Sequence, residues 1–462
     1  MILTGKFINR EAELEFLRNR YRSGKPELII LYGRRRIGKT YLLQRFLSEA
    51  GGLYLLAEES ETLLEDFSER LADYFDDPFL RENPLQNWRA FFTYLAGRSS
   101  ERFVVVIDEV QYVAKAQKDF LSVLQKYWDT QLSRTKVMLI LCGSLVSFME
   151  GILSAKSPIY GRRTGAWKVE EMDFFSVRQF HPIGTEEAVR VYSVFGGVPQ
   201  YWADYNPELD FWDNLRELIL SKGGKYYDEP KYLLKQELRD VSRYFSILRA
   251  IALGYNRFGQ IADKARIEPN SLGKYLNILE EMGYIGEERP LIGKGRGVYR
   301  ITDRLFNFWF RFVYSRKSEI EMGFDVIDDV RRGFNEYVGF VFEDIAKQFL
   351  IQLNLEGSLP LRFTRIGRWW RRNEEIDLLA LNDREKKALF IEVKWKELSE
   401  REAKGILRDL ERKSRLVGLD DWEKRYGLVA RSVEWKDELR EGGWLVWDLE
   451  DFERLISSKG EV

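Results

Sequence analysis

Residues 28–40 read LIILYGRRRIGKT: an apolar run, a glycine-flanked loop and the start of a helix-like stretch, TYLLQRFLSEA, that continues to Ala50. Gly33, Gly38, Lys39 and Thr40 satisfy the spacing G-x-x-x-x-G-K-[ST], in the strand–loop–helix setting that this pattern requires. The glycines let the intervening Arg34, Arg35, Arg36 and Ile37 turn backbone N–H groups toward a phosphate, and the helix start adds its partial positive charge. Lys39 is long enough to reach β- and γ-phosphates, and Thr40 offers a hydroxyl to Mg²⁺. A Mg-ATP or Mg-GTP site is therefore expected here, within a parallel α/β sheet.

Two further runs fit the same sheet. Arg102–Glu109 reads RFVVVIDE, five apolar residues ending in two acids. Such a run suits a strand covered on both faces. Its carboxyl end would deliver Asp108 to the Mg²⁺ shell, and Glu109 to polarise the attacking water. Val137–Cys142 reads VMLILC and leads through Gly143 to Ser144, a polar residue at the tip of another buried strand.

The 462 residues carry 73 basic and 74 acidic side chains, so no global basicity points to nucleic acid, and any such binding must come from a local patch. One Cys (Cys142) excludes an intramolecular disulfide, and one His (His181) argues against a His-dependent triad or a multi-His metal site. The nearly balanced 32% of charged residues resembles proteins that rely on ion-pair networks at high temperature. No apolar run reaches the length of a membrane span, so the expectation is a soluble, cytoplasmic chain with no membrane partner.

The patterning divides the chain into about three folding units with a connector. Residues 1–171 alternate strand-like and helical runs in the βαβ manner. Residues 172–235 show helical spacing broken at Gly196–Pro199 and are read as a helical lid. Residues 236–315 suggest three helices and two strands around a Gly-rich turn, a winged helix-turn-helix with Lys294 and Arg296 on its wing, followed by an aromatic buried helix over 305–314. Residues 316–332 are read as a charged connector, and 333–462 as a compact α/β domain.

That last domain holds a second chemical pattern. Asp377 opens the strand-like EEIDLLALN, and Glu392 and Lys394 lie on the strand-like FIEVK. Residues two apart on a strand share a face, so Glu392 and Lys394 project together and Asp377 joins them if the strands pair. Carboxylates suit Mg²⁺, and the lysine can orient a water and offset phosphate charge. Glu343, on a helix predicted over 334–350, is a candidate further ligand. The spacing D-(x)₁₄-E-x-K resembles the core of the PD-(D/E)XK nuclease family, which implies DNA or RNA as a partner. Upstream, RFTRIGRWWRR (362–372) interleaves arginines with Phe363, Trp369 and Trp370, a composition suited to phosphate contact and base stacking. The plainer reading is a hairpin whose tryptophans close the core.

Taken together, FINREAELEFL, YGRRRIGKT, VVVIDEVQ, LCGSLVSFM, YGRRT, FGGVPQYW and EIDLLAL…IEVKW resemble the archaeal AAA-like ATPases of the STAND group with a nuclease-like C-terminal domain. The resemblance implies ATP as the nucleotide, Ser144 as a γ-phosphate sensor, Arg10 and Glu11 near the adenine, and Arg162 or Arg163 approaching the γ-phosphate. It implies an ATPase whose nucleotide state controls a metal-dependent nuclease-like domain. An ATP-dependent switch with a silent domain and a winged-helix regulator are the alternatives. A homo-oligomer or a protein partner is left open.

Overall fold

The computed structural model describes residues 8–98, 101–238, 240–293 and 295–459; Phe7 and Lys294 of the motifs above lie outside them. Two compact units form. One runs to Met172 and includes Val198–Tyr201; the other comprises Asp173–Gly197 and the chain from Trp202 onward.

The first unit is built on five parallel strands, β1 (Glu27–Tyr32), β2 (Leu53–Leu56), β3 (Val104–Asp108), β4 (Met138–Gly143) and β5 (Gly165–Lys168), in the order β2-β3-β4-β1-β5. Side chains alternate faces along each strand. Leu28, Ile30, Val105, Ile107, Leu139 and Leu141 therefore meet Phe67, Phe91, Phe92 and Phe120 on one side. Ile29, Leu31, Val104, Val106 and Ile140 meet Leu14 and Leu17 of α1 (Glu11–Arg22) and Leu42, Leu43 and Phe46 of α2 (Lys39–Ala50) on the other. Cover on both faces explains why these strands are uniformly apolar. Because β4 lies between β1 and β3, the loops that leave their carboxyl ends emerge side by side.

In the second unit, α3 (Val241–Ala252), α4 (Phe258–Ala265) and α5 (Pro269–Glu281) precede an antiparallel pair, β6 (Ile285–Glu288) and β7 (Val298–Ile301). A helical run from Arg304 to Arg316 follows, with a widened π turn at Trp309–Val313, and it buries Phe306, Phe308, Trp309, Phe310 and Phe312. The expected connector is only partly irregular. Lys317–Glu321 is a short helix, and at Ile327 begins the 30-residue α6 (Ile327–Glu356), which sequence patterning started at Phe334. Ile327, Val330 and Phe334 share one buried stripe, and the acids and bases between them masked the first two turns. The expected lid is divided too: Met172 and Val198–Tyr201 group with the first unit, and the remainder with the second.

A mixed sheet completes the second unit: β8 (Arg365–Arg371), β9 (Glu374–Asn382), β10 (Lys387–Leu398), β11 (Glu423–Val433) and β12 (Leu445–Trp447), in the order β12-β11-β10-β9-β8. The pairs β8–β9 and β9–β10 are antiparallel; β10–β11 and β11–β12 are parallel. The parallel step from β10 to β11 is made through α7 (Glu400–Ser414), which opens with a Ser399–Glu402 capping box.

Candidate functional sites

The first site forms where β1, β3 and β4 end. Gly33 lets the chain leave β1 against the backbone of Val169, since a Cβ there would lie 2.3 Å from the Val169 carbonyl oxygen. Gly38 adopts φ 88°, a left-handed conformation that glycine takes without strain, and α2 starts directly after it. The loop between them is braced at every residue. Arg34 pairs with Glu171 at 2.9 Å, and Arg35 donates to the Tyr112 hydroxyl at 3.3 Å. The carbonyl of Arg36 accepts from the Gln200 amide at 3.4 Å. The Ile37 carbonyl accepts from Arg10 at 3.0 Å. The buried Lys39 ammonium donates to the carbonyls of Gly33 and Arg34 at 2.9 and 2.8 Å, inside the curl of the loop.

Thr40 donates to Asp108 at 3.0 Å, so the two residues assigned to the metal lie together. The same Asp108 oxygen accepts from the Tyr54 hydroxyl at 2.6 Å. Burial, and then the charge of Asp108, push the Tyr54 hydroxyl well above the ordinary tyrosine range, so it remains a donor. Glu109, at φ 55°, turns off the end of β3 and takes the Ser144 hydroxyl on its Oε2 at 2.6 Å. Gln111 donates to both Glu109 and Ser144, the latter at 3.3 Å. Loop, two acids and polar strand tip thus meet in one place. A phosphate-facing loop, a hydroxyl–carboxylate pair and a second carboxylate are a set that fits Mg-ATP.

Three residues assigned through the family resemblance, Arg10, Arg162 and Arg163, lie otherwise engaged. Arg10 is buried, donates to the carbonyls of Ile37 and Glu170 and pairs with Glu13, so it braces the phosphate loop; Glu11 is exposed on the first turn of α1. Arg162 is paired with Asp129 at 3.0 Å, and Arg163 donates to the Leu153 carbonyl at 2.8 Å. Tyr54 and Gln111 escaped the sequence reading, although Gln111 stands three places after Asp108 in the same VVVIDEVQ run.

The second site lies on the mixed sheet. Asp377 and Glu392 face each other one step beyond the last paired residues, Leu378 and Ile391. Asp377 accepts from the Val393 amide at 2.9 Å and from Lys394 at 3.2 Å. Lys394 also donates to Glu392 at 3.0 Å. Lys413, from α7, reaches the same Glu392 oxygen at 3.3 Å, a contact hidden in sequence by the many bases of that helix. The other Glu392 oxygen is buried with no protein partner. Burial and the neighbouring Asp377 raise the Glu392 carboxyl above its usual range. Burial opposes the charge on Lys394, but Asp377 and Glu392 outweigh it and raise its pKa. Two acids and an open buried oxygen fit one hard cation that keeps most of its waters.

Glu343 does not join them as a free ligand. It is paired with the buried Arg368, and among the described residues no group of three or more His, Cys, Asp and Glu side chains is arranged to hold a metal. Burial first, with Asp377 adding to it, pushes Glu343 up to about 8 against the pull of Arg368. The arginine–tryptophan segment divides in the same way. Phe363 and Trp369 are buried, Arg365 is tied to Asp383 at 2.6 Å and Arg368 to Glu343, so among the described residues Arg362, Arg371 and Arg372 are the arginines of this segment that stay exposed without a side-chain ion pair.

Two family models match separate parts of the chain. Residues 7–204 match the model of an ATPase domain found predominantly in Archaea, and residues 309–406 match a family of archaeal and bacterial proteins of unknown function. Over 451 residues the chain is 40% identical to the uncharacterized protein MJECL04 of Methanocaldococcus jannaschii, covering 96% of this chain and 100% of that one. A 41-residue stretch is 58% identical to the uncharacterized ATP-binding protein MJ0423 of the same organism, covering 9% of this chain and 70% of that protein. Among solved structures, the Walker-type ATPase PABY2304 of Pyrococcus abyssi aligns with a TM-score of 0.51 at 25% identity, over 67% of this chain and 97% of that one. No helix among the described residues is long and apolar enough to cross a membrane.

Proposed function

The chain belongs to the family of the Methanocaldococcus jannaschii protein MJECL04 and is an ATPase, and from that premise we propose that its nucleotide state controls a metal-dependent, nuclease-like domain at the C-terminal end. In the first unit, Lys39 exchanges the loop carbonyls for β- and γ-phosphate oxygens. Thr40 and Asp108 are the residues that would hold Mg²⁺, which offsets phosphate charge when bound. Glu109 takes a proton from the attacking water once its carboxylate leaves the Ser144 hydroxyl, and that hydroxyl then donates to the γ-phosphate. Arg10 acts through the Ile37 carbonyl to hold the loop in shape, and Glu11, exposed on the first turn of α1, would face the adenine. Arg162 swings from Asp129 toward the γ-phosphate during turnover.

One observation carries the nuclease-like reading: Asp377, Glu392 and Lys394 converge across β9 and β10, with a buried Glu392 oxygen left open. Asp377 and Glu392 would hold a divalent cation there, a group that lowers the pKa of a bound water and offsets charge on the scissile phosphate. Lys394 orients that water. The hold of Arg368 on Glu343 favours a second reading, in which the domain binds nucleic acid without cutting it. The three helices α3–α5 with the β6–β7 pair serve as a winged helix-turn-helix that relays motion. Its third helix offers Lys274 as its only base, beside Asn270, Ser271 and Asn277, and carries Glu280 and Glu281, which disfavours direct DNA reading.

Incubation of plasmid, single-stranded DNA and RNA with Mg²⁺ or Mn²⁺, in the presence of ATP, ADP or neither, tests the proposal. Cleavage by the wild type that disappears in Glu392→Ala, with ATP turnover retained, is the expected result. Intact substrates under every condition would replace the catalytic reading with the binding-only one.

A further inference from the structure

The outer face of α7 carries a charge pattern that neither site uses. Arg401, Lys404, Arg408, Arg412 and Arg415 recur at intervals of three and four residues, and all five are exposed. That spacing aligns them on one side of the helix, while Ala403, Leu407 and Leu410 are buried on the other. Lys404 is paired with Glu400, and Arg412 with Glu374 and Asp409. Arg401, Arg408 and Arg415 make no ion pair among the described residues. At about 1.5 Å per residue the ridge is roughly 20 Å long. The Arg412–Glu374 contact at 2.8 Å brings the β8–β9 turn, with the exposed Arg371 and Arg372, to the C-terminal end of this ridge. From the same helix Lys413 points inward to Glu392, so the ridge lies about one helix width from the acidic centre.

We propose that this ridge docks the phosphate backbone of a nucleic-acid strand and leads it to Asp377 and Glu392. The inference rests on the nuclease-like reading above and identifies how its substrate is held. Four of the five ridge bases are arginines, whose planar forks match phosphate oxygens in pairs. A line of cations suits a polymer with a repeating anion. A lipid surface fits less well, because the large apolar side chains of α7 face the core, and the exposed Leu416 beside Arg415 is a small apolar area for a bilayer. The chain's near-neutral total charge concealed this surface, which becomes visible only when the bases of one helix are placed around its axis.

The full-length protein with Arg401→Gln, Arg408→Gln and Arg415→Gln combined provides the test. Anisotropy of fluorescein-labelled single- and double-stranded DNA of about 30 nucleotides is followed through a KCl series in EDTA. Each lost phosphate contact removes about 0.7 to 0.9 from the slope of log affinity against log salt. The triple variant should therefore lose about 2 to 3 of that slope and bind on the order of 100-fold more weakly at about 0.1 M salt, with its melting temperature unchanged. Unaltered affinity and slope would overturn the proposal, as would absence of wild-type binding. Equal, equally ridge-dependent binding to phosphatidylglycerol vesicles would also overturn it. Binding lost in the triple variant of a protein that cuts nothing keeps the ridge and removes the catalytic reading. Cleavage that persists in a triple variant of unaltered affinity does the reverse.

Discussion

Lys39 and Glu109 each hold a partner that a triphosphate would replace, and the two exchanges differ in what they control. The Lys39 ammonium rests on two neutral carbonyls at 2.9 and 2.8 Å, so a phosphate oxygen offers it a charged acceptor in exchange. Lys39→Ala should weaken ATP binding roughly 10- to 100-fold, the range of one hydrogen bond to a charged group, as read by isothermal titration. In the proposed function Glu109 contributes to the chemical step, so Glu109→Gln should leave that affinity nearly intact and lower turnover about 100-fold or more. Equal binding by Lys39→Ala, or full turnover by Glu109→Gln, would remove these assignments. Both residues were legible in the sequence because their positions follow from chain-local geometry: a loop that must curl, and a strand that must end in an acid. Arg10 was legible only as a name in a motif; its contacts to Ile37 and Glu170 depend on which segments meet, and no spacing encodes that. Tyr54, Gln111 and Lys413 share that property. Glu343 shows the converse: an acid near the right strands is engaged by Arg368, a partner 25 positions away.

Elements were readable where one periodicity dominated. The all-buried β1, β3 and β4 and the amphipathic α2 follow from their apolar spacing. The start of α6 did not, because its first turns expose Asp328, Arg331 and Arg332, with Asp329 half-buried, around a narrow buried stripe. The arginine–tryptophan segment stayed open between two readings for a related reason: composition cannot tell a stacking surface from a hairpin whose Trp369 faces inward. A buried ion network anchors the last elements of the fold. Lys436, at the start of the helix Lys436–Glu441, contacts Asp448 at 2.5 Å and Asp451 at 3.2 Å beside the helix Leu449–Lys459. Lys436→Met leaves the buried Asp448 without its cation, while Asp451 keeps Arg440 at 2.8 Å, a change worth about 3 to 5 kcal/mol. Calorimetry should show the transition of the second unit falling. Burial already raises the Asp448 carboxyl, and without Lys436 it rises further. A raised folded-state pKa gives stability that is present at low pH and lost as pH climbs through it, so the variant should be penalised less at about pH 5 than at about pH 8. A deficit that does not vary with pH would show that packing, not charge, holds this corner.

At the scale of the whole chain, the phosphate-loop residues lie in the first unit and the Asp377–Glu392–Lys394 cluster in the second. Control of one by the other requires that ATP alter the second unit's free energy, and a ligand shifts an equilibrium only by its differential affinity for the two states. The segment most suited to carry that difference is 196–201. Gly196 has φ 59°, and within a few residues the chain passes from the second unit into the first at Val198 and back at Trp202. Two chain crossings there mean that a change in the phosphate loop, whose Arg36 carbonyl takes the Gln200 amide, acts on a segment covalently continuous with the second unit on both sides. Hydrogen exchange with and without a non-hydrolysable ATP analogue reads the consequence. Altered protection is expected in the loop at 33–40, in the helix Thr185–Phe195 and on the β9–β10 strands around Asp377 and Glu392. Glu109→Gln with ATP should reproduce the analogue's pattern, and Lys39→Ala with ATP should show none of it. Protection changes that stop at Met172 in every case would mean that the second unit is tethered to the ATPase rather than governed by it.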